Sequence, residues 1–182
     1  MEFTGFGKIA RLNRECVITE KIDGTNAQIF ITPYGEFFTG SRTRWITPQD
    51  DTHGFSQWAH ENKEELMKLG EGHHFGEWYG QKIQRGYGLK EKRFILFNTS
   101  RWSDDAVRPS CCYVVPVLYQ GMFSTEKAKE CIELLKEKGS VAVSGLDRPE
   151  GIVVYHVAAN TYFKATIEKD EAPKSMKGGE IK

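Results

Sequence analysis

Polar and apolar residues alternate in short runs along much of the chain. Residues 17–19 and 27–32 carry the β-branched pattern of strands, and Pro33-Tyr34-Gly35-Glu36 turns the chain into a third strand over 37–42. Over 55–69 the period changes. Phe55, Trp58, Ala59, Leu66 and Leu69 recur at helical spacing and stop before Gly70. Residues 74–79, 93–98 and 113–119 return to strand patterning. Ser124 or Thr125 caps a second helix that runs to Lys138, with Ala128, Cys131, Ile132 and Leu135 on one face and Gly139 as its stop. Residues 141–143, 151–157 and 162–167 complete a strand-rich second half. Few helices among many short, hairpin-linked strands predict an α+β fold of mostly antiparallel sheets. The expected domain spans 1–167. The charged stretch 168–182 has almost no large apolar side chains and is expected to be a loose tail, with no OB-fold or other domain after it.

Composition adds limits. The chain has 182 residues, 39% of them hydrophobic and 27% charged, with a formal net charge of zero. That suits one globular domain and argues against a whole-molecule field for a polyanion, so any nucleic-acid surface must be local. Four cysteines (Cys16, Cys111, Cys112, Cys131) form no C-x-x-C pair, and Cys16 and Cys131 sit in apolar patterns as small buried hydrophobes. No run is long and apolar enough to span a bilayer and no leader pattern opens the chain, so a cytoplasmic location with no membrane partner is expected.

The candidate chemistry begins at Glu20-Lys21-Ile22-Asp23-Gly24-Thr25-Asn26. Asp-Gly between two strand-like runs predicts a hairpin. It leaves Lys21 at the end of the first strand, and a lysine there can act as a nucleophile once its amine is neutral. Glu77 lies on an alternating strand with glycine on one side and aromatics on the other, a setting in which a carboxylate accepts a hydroxyl proton from a close ligand. Glu150 is a lone acid at the mouth of an apolar strand, which suits a divalent cation that also keeps phosphate oxygens. Within residues 82–93, Lys82, Arg85, Lys90, Lys92 and Arg93 outweigh Glu91 around Tyr87, the mixture expected of a local phosphate-backbone surface.

In order, these segments resemble the motifs of the covalent nucleotidyltransferases: ATP-dependent DNA and RNA ligases and mRNA capping enzymes. Lys21-Ile22-Asp23-Gly24-Thr25-Asn26 is similar to motif I, most of all in RNA ligases related to the second phage T4 enzyme. Thr39-Gly40-Ser41-Arg42, Phe75-Gly76-Glu77-Trp78-Tyr79-Gly80 and Arg93-Phe94-Ile95-Leu96-Phe97-Asn98 resemble the sugar-contacting strand, motif III and motif IIIa. Glu150-Gly151-Ile152-Val153-Val154 and Tyr162-Phe163-Lys164-Ala165-Thr166 stand at motifs IV and V.

The resemblance implies a ligase adenylation (nucleotidyltransferase) domain that uses ATP with Mg²⁺ or Mn²⁺. Lys21 would carry AMP, with Lys164 as the second catalytic cation. Glu20, Ile22, Asn26, Arg42, Glu77, Phe97 and Lys164 would contact the nucleotide, and Glu150 the metal. Arg44 would join Lys82, Arg85, Lys90 and Lys92 on RNA ends or a nicked duplex. The twenty residues before Lys21 favour ATP over NAD. Motif V departs from the family: K-x-K is here Lys164-Ala165-Thr166, one charge fewer at the phosphates. An accessory protein could supply a clamp domain. Two other readings share these residues: a nucleotide- or RNA-end-binding module without turnover, and an adenylyltransferase core for another acceptor.

Overall fold

Strand β1 (Glu15–Lys21) ends three residues before β2 (Thr25–Ile31) begins, yet the two do not pair. In this computed structural model, which describes residues 1–168, they belong to different sheets. The expected hairpin at Asp23-Gly24 is therefore a crossing between sheets. Gly24 is there for space: a Cβ would meet the Trp78 carbonyl oxygen at 2.4 Å and Glu77 Cγ at 2.9 Å.

The larger sheet has the order β4-β3-β2-β5-β6-β7, with β3 (Phe37–Gly40), β4 (Trp45–Ile46), β5 (Gly72–Gly80), β6 (Lys92–Leu96) and β7 (Cys112–Val114). All its pairings are antiparallel except β6 with β7. One face packs Ala27, Ile29, Ile31, Phe94 and Leu96 against Phe55, Ala59, Leu66 and Leu69 of a short helical layer. The smaller sheet has the order β10-β9-β1-β8, with β8 (Val117–Met122), β9 (Gly151–His156) and β10 (Thr161–Thr166), antiparallel throughout. Cys16, Ile18, Ile152 and Val154 on its inner face are covered by Cys131 and Leu135 of helix α4 (Thr125–Lys138). Ser124 Oγ caps α4 by accepting from the Lys127 amide at 3.2 Å. A third cluster, with Ile22, Tyr79, Tyr87, Ile95 and Val115, ties the two sheets together beneath the crossing.

Four expectations change. The single helix over 55–69 is broken into α1 (Phe55–Glu61), α2 (Lys63–Leu66) and a 3-10 turn, Met67–Leu69. At the break, Asn62 leaves helical dihedrals (φ −104°, ψ 17°), and its side-chain and backbone amides both donate to the Trp58 carbonyl, at 2.8 and 3.0 Å. The strand over 113–119 is two strands in two sheets, separated at Val115-Pro116, where proline has no amide to give a ladder. Asn98 does not extend β6; it caps α3 (Thr99–Trp102) by accepting from the Arg101 amide at 3.1 Å. Residues 141–143 form no strand, because the amides of Val141 and Ala142 serve a buried carboxylate described below and that of Val143 donates to Ser140 Oγ. Of the expected tail, all but Glu168 lies outside the described residues.

Candidate active site

Side-chain alternation decides what faces the cleft. Along β1, Cys16 and Ile18 point into the α4 core and Glu20 is buried on the same face, so Val17, Thr19 and Lys21 take the other face. Lys21 Nζ lies 2.6 Å from Glu150 Oε2, with side chains only 17% and 10% exposed. Glu150 immediately precedes β9, whose first residue, Gly151, stands opposite both Lys21 and Thr166. A Cβ on Gly151 would meet the Ala165 carbonyl oxygen at 2.1 Å, so only glycine lets β10 pair this closely with β9.

Asn26 and Glu77 are cross-strand partners on β2 and β5. Glu77 accepts from Asn26 Nδ2 at 3.0 Å and from the Gly24 amide at 3.2 Å. Burial pushes the Glu77 carboxyl up to about 7; Lys21 and the Gly24 amide pull it down, while Glu150 and Asp23 add to the rise. Asp23 is anchored twice, by Arg85 Nε at 3.0 Å on its carboxylate and by its own amide donating to the Tyr87 hydroxyl at 2.6 Å.

Beyond this pair lies a cavity of about 180 Å³ lined by Asn26, Gln28, Arg42, Phe75, Gly76 and Phe97, with Ala27 and Ser41. It is smaller than a pocket for a whole drug-sized ligand and suits one flat ring. Its floor needs Gly76, where a Cβ would sit 2.3 Å from the Ile95 carbonyl oxygen. Asn26, Arg42, Glu77 and Phe97 are thus brought together with Lys21 and Glu150 along one cleft.

Other expected residues are placed elsewhere. Glu20 turns its carboxylate away from the cleft, into Ser140 Oγ (2.6 Å) and the amides of Val141 (2.8 Å) and Ala142 (2.9 Å). Ile22 packs its side chain in the inter-sheet cluster. Arg85 is committed to Asp23 and to the Arg148 carbonyl, Lys92 donates to the His53 carbonyl at 2.7 Å, and Arg44 pairs with Asp50. Lys82 and Lys90 are exposed. Lys164 is exposed on β10, opposite Val153 and two rows from Lys21 on the same face. Strand geometry puts it about 10 Å across and about 7 Å along from Lys21. A phosphate between the two could meet both cations.

Gln28 and Phe75 were missed in the sequence. Each lies two positions from an identified residue, Asn26 or Glu77, and so shares its face; that period-two step was the available signal. The loop that holds Glu20 carried no local signal at all.

The RNA ligase family model matches residues 14–167, nearly all of the described chain. The chain belongs to the RNA ligase family. No curated protein matches it by sequence. Among solved structures it is similar to Naegleria gruberi RNA ligase: a variant with ATP and Mn (19% identity, TM-score 0.60, covering 87% of this chain and 52% of that one) and a variant without ligand (20%, 0.61, 85% and 50%). A third variant, with AMP and Mn, gives 19% identity and a TM-score of 0.59 over 85% of this chain and 50% of that one. This RNA ligase family member therefore shares their sheet-dominated fold and spans about half the length of those chains.

Whether the cleft fits a divalent cation follows from its donors. Among the described residues no group of three or more His, Cys, Asp or Glu side chains could cage a metal. The cleft offers the Glu150 carboxylate beside space for phosphates. That matches a hard cation of the magnesium class, which takes one or two carboxylates and completes its shell with phosphate oxygens and water.

Proposed function

We propose that this chain is an ATP-dependent RNA ligase that works through a covalent lysyl-AMP intermediate and joins a 5′-phosphate RNA end to a 3′-hydroxyl. The observation that carries this is the Lys21–Glu150 pair, facing a ring-sized pocket that also presents Asn26, Arg42 and Phe97. A lysine attacks only after it loses its proton to solvent, and Glu150 Oε2, 2.6 Å away, orients the amine. Lys21 Nζ then bonds to the α-phosphorus of ATP while the bond to the bridging oxygen of the leaving pyrophosphate breaks.

Phe97 and Gly76 hold the base, Glu77 and Asn26 the ribose, and Lys164 the phosphates, so much of the barrier falls through positioning and charge neutralisation. A divalent cation held by Glu150 and phosphate oxygens would supply further charge neutralisation. An oxygen of the RNA 5′-phosphate next displaces Lys21 from the α-phosphorus, and the nitrogen regains its proton. Attack by the 3′-hydroxyl on the activated 5′-phosphate expels AMP and seals the strand.

Thr166, the residue in the row of Lys21, favours a second reading: a nucleotide- and RNA-end-binding module without turnover. One experiment separates them. Incubated with ATP and Mg²⁺, the protein should gain the mass of one AMP in an acid-labile link, and Lys21→Ala should gain none. No adduct on the parent protein removes the ligase reading, and an adduct that persists in Lys21→Ala removes the assignment of Lys21. A nicked RNA sealed faster than a nicked DNA supports the substrate class.

A further inference from the structure

The face of the larger sheet that carries the ring-sized pocket continues into a column of aromatic rings. Phe30 and His73 are cross-strand partners on β2 and β5, stacked at 4.1 Å with 15° between planes. His73 stacks on Phe75 at 5.7 Å and 7°, and Trp45 lies 5.9 Å from Phe30 and 6.3 Å from His73. Phe38 closes the far end, 5.8 Å from Trp45. Gln28 Oε1 sits 3.1 Å from His73 Nδ1 and holds the imidazole in plane with its neighbours.

These rings are not core. The short helices cover the opposite face, and Phe75, Trp45 and Phe38 are 54%, 50% and 41% exposed. Cross-strand pairing contributes up to about 1 kcal/mol per pair, which does not by itself account for so much apolar surface held open to water. Two facts indicate what covers it. Phe75 is at once the last ring of the column and a wall of the pocket, so a ring bound there extends the same stack. Arg42, on the loop that joins β3 and β4, is exposed, lines that pocket, and makes no hydrogen bond or ion pair among the described residues.

Resting on the RNA ligase reading, we infer that the Phe75–His73–Phe30–Trp45–Phe38 column is a stacking surface for unpaired bases of the RNA strand, with Arg42 on its phosphates. Flat rings in register suit successive bases, because every base has a π-face and the contact needs no sequence. A surface of this kind prefers single-stranded RNA, whose bases are free to unstack, over a blunt duplex.

The test measures binding of a 5′-phosphorylated unpaired RNA of about 12 nucleotides and of a blunt RNA duplex of the same length, with full-length protein. The parent should prefer the single strand, which should quench Trp45 fluorescence. The double variant Trp45→Ala/His73→Ala should bind the single strand roughly 5- to 100-fold more weakly. Trp45→Phe, which keeps a ring, should stay close to the parent in affinity while losing the quench. The slope of log affinity against log salt should not change, since no phosphate contact is removed. Lys21 adenylation should be intact in all these variants.

Parent-like single-strand binding by the double variant overturns the inference. So does an equal loss on the duplex, and so does a Trp45 quench that grows with protein concentration alone, which would make the face a contact between copies. If RNA binding behaves as expected but Lys21 takes no AMP, the ligase reading fails and the stacking surface stands.

Discussion

Lys21 and Glu150 are 129 positions apart, and they meet at 2.6 Å because β1 and β9 pair side by side with Lys21 opposite Gly151. Each charge is mostly shielded from water by the other's elements. Removing one partner leaves the other charged and buried, which costs more than the pair itself contributes. Lys21→Met should therefore lower unfolding free energy by roughly 2 kcal/mol, and Glu150→Gln by a similar amount. The double variant should recover most of that loss in urea titrations. Additive losses would mean that the ion pair is not formed in solution.

Glu77 links pH to stability and, on the proposed function, to ATP binding. The folded protein keeps this proton up to about pH 7, whereas the unfolded chain releases it near 4.5. The folded state binds more protons across that window, so stability falls as pH rises through it, by on the order of 3 kcal/mol at full effect. Glu77→Gln removes the buried charge and should raise the melting temperature at pH 8 while changing it little at pH 4. It should also weaken ATP binding roughly tenfold, because a carboxylate accepts a ribose hydroxyl more strongly than an amide does. Scanning calorimetry at the two pH values checks the first expectation and adenylation against ATP concentration the second.

Glu20 braces the loop that leads to Glu150. Its carboxylate accepts from Ser140, Val141 and Ala142, and Ser140 Oγ in turn accepts from the Val143 amide at 3.0 Å. Glu20→Ala leaves two backbone amides unmatched and should destabilise the protein by about 3 kcal/mol or more. Limited proteolysis should then cut near Ser144-Gly145, and adenylation should drop with the displacement of Glu150. Glu20→Gln keeps one acceptor oxygen and should be milder on all three readouts.

Lys164 is exposed, so Lys164→Ala should change stability by no more than about 0.5 kcal/mol. Its loss should instead appear in chemistry, with most adenylation gone at unchanged fold. Thr166→Lys places a cation in the row of Lys21 and restores the K-x-K pattern, so it should speed lysyl-AMP formation. Normal adenylation by Lys164→Ala would sever β10 from the mechanism.

The basic segment splits by its partners: Lys82 and Lys90 are exposed, whereas Arg85 is paired with Asp23. Lys82→Ala with Lys90→Ala should lower RNA affinity and flatten its salt dependence by about two units of slope, leaving adenylation unchanged. Arg85→Ala should do the reverse and slow adenylation, because it frees the Asp23 carboxylate near Lys21. Filter binding and AMP incorporation, measured on the same preparations, separate the two.

Signals carried within a few residues were legible in the sequence. Helix α4 lies where Ser124 and Gly139 bound it, strands β2 and β9 lie where β-branched residues cluster, and the motif order grouped Lys21, Glu77 and Glu150, which the fold brings into one cleft. Capping, periodicity and side-chain type are local physics, so local sequence determines them. Partner choice is not. Asp23-Gly24 can form a tight turn or pass beneath a neighbouring carbonyl, and only the position of Trp78 in β5 decides that it crosses between sheets. Glu20 and Lys21 are adjacent charges in the sequence. Strand alternation sends one into a buried loop and the other into the cleft, and which face is the cleft depends on where α4 packs. Arg85 reads as a free cation until Asp23, 62 residues away, arrives beside it. The sequence alone determined the elements and the chemistry available to them; tertiary packing decided which charges are free for a substrate, because each charge takes whichever partner the fold brings within reach.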